Sequence, residues 1–245
     1  MQIIKKFLNL FLKIFDLKLI KIVDQFSNSY RLVLSLKENK INYIFDVGAN
    51  EGQFVKELRY HGYKDEVISF EPYLKAHFKL VLNSQKDHKW QVYKPIAIGS
   101  KNSSNSLNIS KNSVSSSILK INKSHIDNSP KSAIVGRQLI YEKKLDDIFH
   151  ELNLKNKKLF LKIDTQGYEF EVLKGAKKIL NKFEGALIEV SLVELYEGQK
   201  NWIQIIEYMR KNGFGLWSVD RGFSNKKNGQ TLQLDICFFR KKFFL

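Results

Sequence analysis

Tyr43-Ile44-Phe45-Asp46-Val47-Gly48-Ala49-Asn50-Glu51-Gly52-Gln53-Phe54 is the stretch on which the fold turns. Tyr43 to Val47 is apolar and β-prone, interrupted only by Asp46, and reads as a buried strand. Gly48 to Gly52 is a small-residue turn. An amphipathic run follows, with Phe54, Val55 and Leu58 on one side and Lys56, Glu57 and Arg59 on the other. Strand, glycine turn and helix start make the front half of a βαβ unit, in which the backbone can come close to a ligand. A dinucleotide fingerprint needs Gly-x-Gly-x-x-Gly, but the second and third glycine positions hold Asn50 and Gln53. No Gly-Lys-Ser/Thr closes the turn, so it does not read as a phosphate-gripping P-loop either.

Outward from this turn, Glu66 to Phe70 reads as a second strand closing on Glu71 and stopped by Pro72. Glu71 lies 23 residues after Gly48, about where an acid at the end of strand two accepts hydrogen bonds from ribose hydroxyls. What remains of the turn, Asp46-x-Gly48-x-Asn50-x-Gly52, resembles the first motif of S-adenosylmethionine (SAM) methyltransferases. Such a ligand carries no phosphate, and its amino and sulfonium groups favour a nearby carboxylate such as Asp46. Trp90 to Gly99 reads as the third strand, whose end at Ala97-Ile98-Gly99 would lie beside an adenine.

Two further strands close on acids. Lys158 to Ile163 leads to Asp164, then a turn and a helix from Glu169, and Ala186 to Ser191 carries Glu189 near its end. Ligands of doubly wound sheets bind at the carboxyl ends of strands, so these acids belong to the expected site. Tyr73 to Asn83, Tyr141 to Leu152 and Asn201 to Lys211 read as helices, and Phe214 to Val219 and Leu232 to Arg240 as closing strands. Residues 100–137 are rich in Ser, Asn and Lys, with short β-like pieces at Ser106 to Ile109 and Val114 to Leu119. They read as an insertion that covers the cofactor, with Ser115, Ser116 and Ser117 near the acceptor, or as a low-complexity excursion. His125 within it reads as a surface residue.

Three segments together resemble the FkbM family of SAM-dependent methyltransferases. They are Phe45 to Gly52, Phe70-Glu71-Pro72, and Leu161-Lys-Ile-Asp-Thr-Gln-Gly-Tyr-Glu169 continuing through Val172-Leu-Lys-Gly175. The family usually has Glu where this chain has Gln166. The resemblance covers roughly residues 41–240. It implies a Rossmann-like class I α/β fold with a mostly parallel seven-stranded sheet, helices on both faces, and O-methylation, commonly of sugar hydroxyls. The expected domain is 41–245, preceded by a helical extension at 1–40.

The expected cofactor-binding set is Asp46, Gly48, Ala49, Asn50, Gly52, Phe54, Glu71, Pro72, Ala97, Ile98 and Asp164. Methyl transfer to an alcohol needs alignment and a proton acceptor. Asp164 and Glu189 are the candidates, with Glu169 a third if its turn folds back; a Mg²⁺ held by two of these acids is the less favoured arrangement. No His/Cys cluster has zinc spacing.

The chain has 245 residues and a net charge of 41 − 25 = +16, which suits a polyanionic partner or a solvated basic surface. Base N-methylation is disfavoured, because no Asn/Asp-Pro-Pro-Tyr turn follows the fourth strand. DNA is therefore not an expected partner. Ribose methylation of RNA and a non-catalytic scaffold remain secondary readings to a sugar or glycan acceptor. One cysteine, Cys237, excludes a disulfide framework and fits the cytoplasm. Met1 to Val23 is apolar with Lys5, Lys6, Asn9, Lys13 and Asp16 on a polar stripe. Charges interrupt it too often for a span of about 20 apolar residues. It reads as a helix packed on the domain or on a second subunit, or as a basic helix on an anionic membrane. Residues 24–41 read as a second helix with Tyr30, Leu32, Val33, Leu34 and Leu36 inward.

Overall fold

The computed structural model describes residues 2–15, 27–152 and 154–243. In chain order its elements are α1 (Gln2–Leu12), α2 (Asn28–Glu38), β1 (Tyr43–Val47), α3 (Gln53–Tyr60), β2 (Glu66–Phe70), α4 (Leu74–Ser84), β3 (Trp90–Val92), β4 (Ala97–Ile98) and β5 (Ser103–Ser110). They continue with α5 (Lys123–Asn128), β6 (Ile134–Lys143), α6 (Leu145–Phe149), β7 (Leu159–Ile163), α7 (Glu169–Gly175), β8 (Phe183–Ser191), α8 (Trp202–Lys211), β9 (Phe214–Arg221) and β10 (Gln233–Arg240). The reading of Met1 to Val23 extends over residues 16–23, which lie outside the described ones.

Seven strands form a Rossmann-like sheet in the order β3-β2-β1-β7-β8-β10-β9. β1, β2, β3, β7 and β8 pair in parallel, and β10 runs antiparallel to both β8 and β9. β1 and β7 are buried at every residue, as central parallel strands covered on both faces must be. One face packs Val172 and Leu173 of α7 and Ile205 and Met209 of α8 onto Phe45, Leu161 and Ile188. The other packs Leu32, Val33 and Leu36 of α2 and Val55 and Leu58 of α3 onto Ile44 and Phe160. β2 and β3 lie outward of β1 on one side, and β8, β10 and β9 outward of β7 on the other. The chain therefore reverses direction between β1 and β7, and the crevice beyond their carboxyl ends is where such sheets bind ligands.

Several local readings are corrected. Trp90 to Gly99 is two short strands. Pro95 offers no N–H to a ladder, so the chain leaves the main sheet after Val92 and re-enters pairing at Ala97 in a second sheet, ordered β4-β6-β5. That sheet holds much of the Ser- and Asn-rich stretch. The expected strand at Val114 to Leu119 is reduced to a bridge between Asn108 and Ser117. Its polar side chains build the turn instead: Asn112 Oδ1 accepts from Ser110 Oγ at 2.8 Å and from Ser115 N at 3.2 Å. His125 is buried, against the rings of Tyr196 and Phe223, and burial lowers its pKa to about 4. Tyr141 belongs to β6, and the helix after it is only Leu145–Phe149. In α2 the buried side chains are Leu32, Val33 and Leu36, whereas Leu34 is 49% exposed, because the three consecutive residues Leu32, Val33 and Leu34 cannot all face the same side of a helix.

Candidate active site

The turn after β1 is pressed against two neighbouring strands. Gly48 N and Ala49 N both donate to Phe70 O, at 3.1 and 3.0 Å. Gly48 has φ +78°, and a Cβ there would stand 1.8 Å from Asp164 O. Only glycine allows β1 to end this close to the end of β7. Asn50 also has positive φ, +47°, a conformation asparagine tolerates better than most residues. Its Oδ1 accepts from Glu51 N at 2.9 Å and from Gln53 Nε2 at 3.2 Å, which holds the turn open toward its N–H groups. Gly52 is different. A Cβ there would meet the Trp90 ring at 2.4 Å, so this glycine serves the packing of α3 and does not line the cavity.

Beyond the turn lies a cavity of about 240 Å³. Gly48, Ala49, Asn50, Phe54, Glu71, Pro72, Ala97, Ile98 and Asp164, all expected from the sequence, line it. Glu71 is its anchor. Oε2 accepts from Asn50 N and Oε1 from Tyr73 N, each at 2.8 Å. Each oxygen keeps a further lone pair, which suits two vicinal hydroxyls. Burial raises the Glu71 pKa to about 7 against the lowering effect of those two N–H groups. Phe70, Pro72, Ile96, Ile98 and Leu107 supply an apolar wall. Ser113, Val114, Ser116 and Ser117 close the cavity from the polar insertion; Ser115 is buried but does not line it.

Asp46 does not reach the cavity. It is wholly buried, accepts from Ser69 Oγ at 2.9 Å, and pairs with Lys162 Nζ at 3.0 Å. Lys162 also donates to Gly48 O at 2.9 Å and lies 3.7 Å from Asp164. Burial works against its charge, but Asp46 and Asp164 outweigh that and hold the ammonium above the usual lysine value. The expectation that Asp46 faces a ligand's positive charge is therefore corrected: its charge is taken up by Lys162. Sequence reasoning assigned Lys162 no role, although a lysine inside an apolar strand was visible. Asp46 and Lys162 occupy the fourth positions of β1 and β7 and are register partners.

The three candidate acids part company. Asp164 lines the first cavity and also a second one, of about 180 Å³, beside Glu189, Asp220 and Asp235. Gln166 bridges the acids: its Nε2 donates to Asp164 Oδ1 at 2.7 Å and to Glu189 Oε2 at 2.8 Å. Gln166 itself is fixed, with its Oε1 accepting from Tyr196 OH at 2.6 Å and its O from Ser117 Oγ at 2.7 Å. Gln233 Nε2 also donates to Glu189 Oε2, at 2.6 Å. Burial, then the charges of Asp164 and Asp235, raise Glu189 well above the usual carboxylate pKa, and burial raises Asp235 to about 6. Glu169 folds inward onto its own turn. Its Oε1 accepts from Thr165 N at 2.9 Å and Gly167 N at 3.0 Å, and it lines neither cavity. Among the described residues, no group of three or more His, Cys, Asp or Glu is placed to hold a metal ion.

The family model described as the methyltransferase FkbM domain matches residues 46–216. The 2-O-methyltransferase NoeI of Sinorhizobium fredii (strain NBRC 101917 / NGR234) is 27% identical over 176 residues, which make up 69% of this chain and 72% of that protein. Among solved structures, the magnesium protoporphyrin IX methyltransferase ChlM of Synechocystis PCC 6803, with bound SAM, is similar over 98% of this chain and 96% of its own, at 10% identity and a TM-score of 0.48. A rRNA methylase from Streptococcus thermophilus is similar over 91% of this chain and 98% of its own, at 12% identity and a TM-score of 0.48.

Proposed function

Because this chain belongs to the FkbM methyltransferase family, and is thereby a SAM-dependent methyltransferase, we propose that it methylates a hydroxyl of a sugar in a glycan, glycolipid or natural product. The observation that carries this reading is the position of Asp164 on the wall shared by the two cavities. The first cavity has the donor set for SAM. Glu71 would hold the ribose hydroxyls, the wall of Pro72, Ile96 and Ile98 would hold the adenine, and the Gly48–Asn50 turn would hold the amino-acid end; all of these residues line the cavity. When bound there, SAM supplies an electrophilic methyl group.

The second cavity takes the acceptor. Its carboxylates accept hydrogen bonds from several hydroxyls at once, as sugar recognition requires. Asp164 orients the reacting hydroxyl and takes its proton, and Glu189, made basic by burial and neighbouring charge, receives hydrogen bonds from the rest of the acceptor. Gln166, Lys162, Asp46 and Glu169 are positioning residues. The acceptor named by the relative, a 2-O position, is likewise a hydroxyl. The second cavity is lined by Asp164, Glu189, Asp220 and Asp235; Lys162 lies among them and Arg31 pairs with Asp220, so the acids outnumber the bases and the lining disfavours a phosphate backbone, which argues against an RNA acceptor at this site.

Calorimetric titration with SAM, followed by transfer assays on glycans and on RNA, tests the reading. Wild type and Asp164→Asn should both bind SAM, Glu71→Ala should bind at least tenfold more weakly, and only wild type should methylate a glycan. Methylation of RNA alone, or unchanged turnover by Asp164→Asn, would reject it.

A further inference from the structure

The cavities and their acids belong to the proposed site, but α1 does not. Apolar residues of α1 and of the 3-10 turn Lys13–Phe15 that follows it stand in the open: Phe7 is 78% exposed, Leu10 70%, Phe11 60% and Ile14 75%. At 3.6 residues per turn Phe7, Leu10 and Phe11 fall on one stripe of α1, Ile14 follows Phe11 by three residues in the 3-10 turn, and Leu8 and Phe15 are exposed beside them. A contiguous apolar strip on a surface marks something that covers it.

Charge decides between a second copy and a lipid surface. The sequence of residues 2–15 contains Lys5, Lys6 and Lys13 and no acid. Two copies of this segment packed on each other would set an excess of lysines against one another, Asp16 being the first acid in the sequence. The whole chain, at +16, adds to that repulsion. An anionic bilayer satisfies both halves: it takes up the phenylalanines and attracts the lysines. At 11 residues α1 is too short to cross a bilayer, so it lies in the plane of the interface.

We propose that α1 and the 3-10 turn after it form an interfacial anchor that docks this enzyme on an anionic membrane surface through Phe7, Leu10, Phe11 and Ile14, with Lys13 toward the headgroups. The proposal does not depend on the identity of the methyl acceptor.

The test is co-sedimentation of the full chain with vesicles, either phosphatidylcholine alone or an equal mixture with phosphatidylglycerol. Wild type should pellet with the anionic vesicles and lose binding as salt rises. Phe7→Ser/Phe11→Ser should lower the partition coefficient at least about tenfold, and Lys13→Glu by roughly tenfold. Circular dichroism and SAM affinity of both variants should match wild type, which separates lost docking from lost folding. Equal pelleting of wild type and Phe7→Ser/Phe11→Ser would overturn the proposal. So would a wild-type dimer in sedimentation velocity that the double variant makes monomeric, without any vesicle binding.

Discussion

Under the proposed function, Glu71 is a single buried carboxyl that serves both the fold and the ligand. Its pKa of about 7 means that the folded chain favours the neutral form more than the unfolded chain does. That preference stabilises the fold fully below the usual carboxyl pKa and is lost as pH rises through about 7. Glu169, raised to about 7, and Asp235, raised to about 6, act in the same direction. His125, lowered to about 4, works the other way as pH falls below the usual histidine value, but one group stands against three, so the ligand-free protein should melt at lower temperature at about pH 8 than at about pH 5. SAM affinity should move the opposite way, weakening about tenfold per unit below the pKa, because only the carboxylate accepts both ribose hydroxyls. Calorimetry across that range checks this, and Glu71→Gln should give a flat profile. At Gln166, replacement by Glu removes an amide that donates at 2.7 and 2.8 Å to two carboxylates and adds a third negative charge. The urea midpoint should fall by the equivalent of about 1–3 kcal/mol, and the deficit should shrink as pH is lowered. A deficit independent of pH would reject the electrostatic account. Glu71 and Asp164 were legible in the sequence because each ends an apolar run. Gln166 as a bridge was not, since its two partners lie on different strands and meet only through a residue at φ +56°.

At the scale of elements, the site depends on β1 and β7 ending side by side. Gly48→Ala must force a Cβ into Asp164 O while holding positive φ. It should abolish measurable SAM binding and cost about 3 kcal/mol or more in urea unfolding. The Asp46–Lys162 pair joins the same two strands. Lys162→Met should cost about 3–5 kcal/mol by leaving Asp46 buried and uncompensated, whereas Asp46→Asn/Lys162→Met should recover much of the loss. A double variant no more stable than Lys162→Met would mean that the pair does not act as a unit. The strands themselves were readable from apolar runs between glycines. Their pairing partners were not: Trp90 to Gly99 looks continuous until the missing N–H of Pro95 is followed into two different sheets. The apolar positions of α2 were read too generously for the same reason, since which side of the helix meets the sheet is decided by the sheet.

For the whole molecule, the question is where the cooperative unit begins. α2 contributes Leu32, Val33 and Leu36 to the core beneath β1 and β7. Burying three aliphatic side chains contributes roughly 5–9 kcal/mol as an upper estimate, comparable with the entire stability of a typical domain. A chain lacking residues 1–25 should therefore keep its circular dichroism spectrum and SAM binding. One lacking residues 1–40 should be largely unfolded or insoluble. Equal melting temperatures for the two would mean that α2 lies outside the cooperative core. The overall layout was legible from strands that close on acids, a pattern set by local chemistry. The second sheet was hidden because β5 is built of Ser and Asn around Leu107 and Ile109, and β6 is exposed along most of its length, so neither carries a clear hydrophobic periodicity.

The strand order also sets a schedule for synthesis. β9 has β10 as its sole neighbour in the sheet, yet β9 leaves the ribosome first. Until β10 emerges and slots between them, β8 and β9 both wait with unpaired backbone edges on a nascent chain. That interval is when a slow translation step or an early stop is most damaging, and when a holding chaperone has the most to protect.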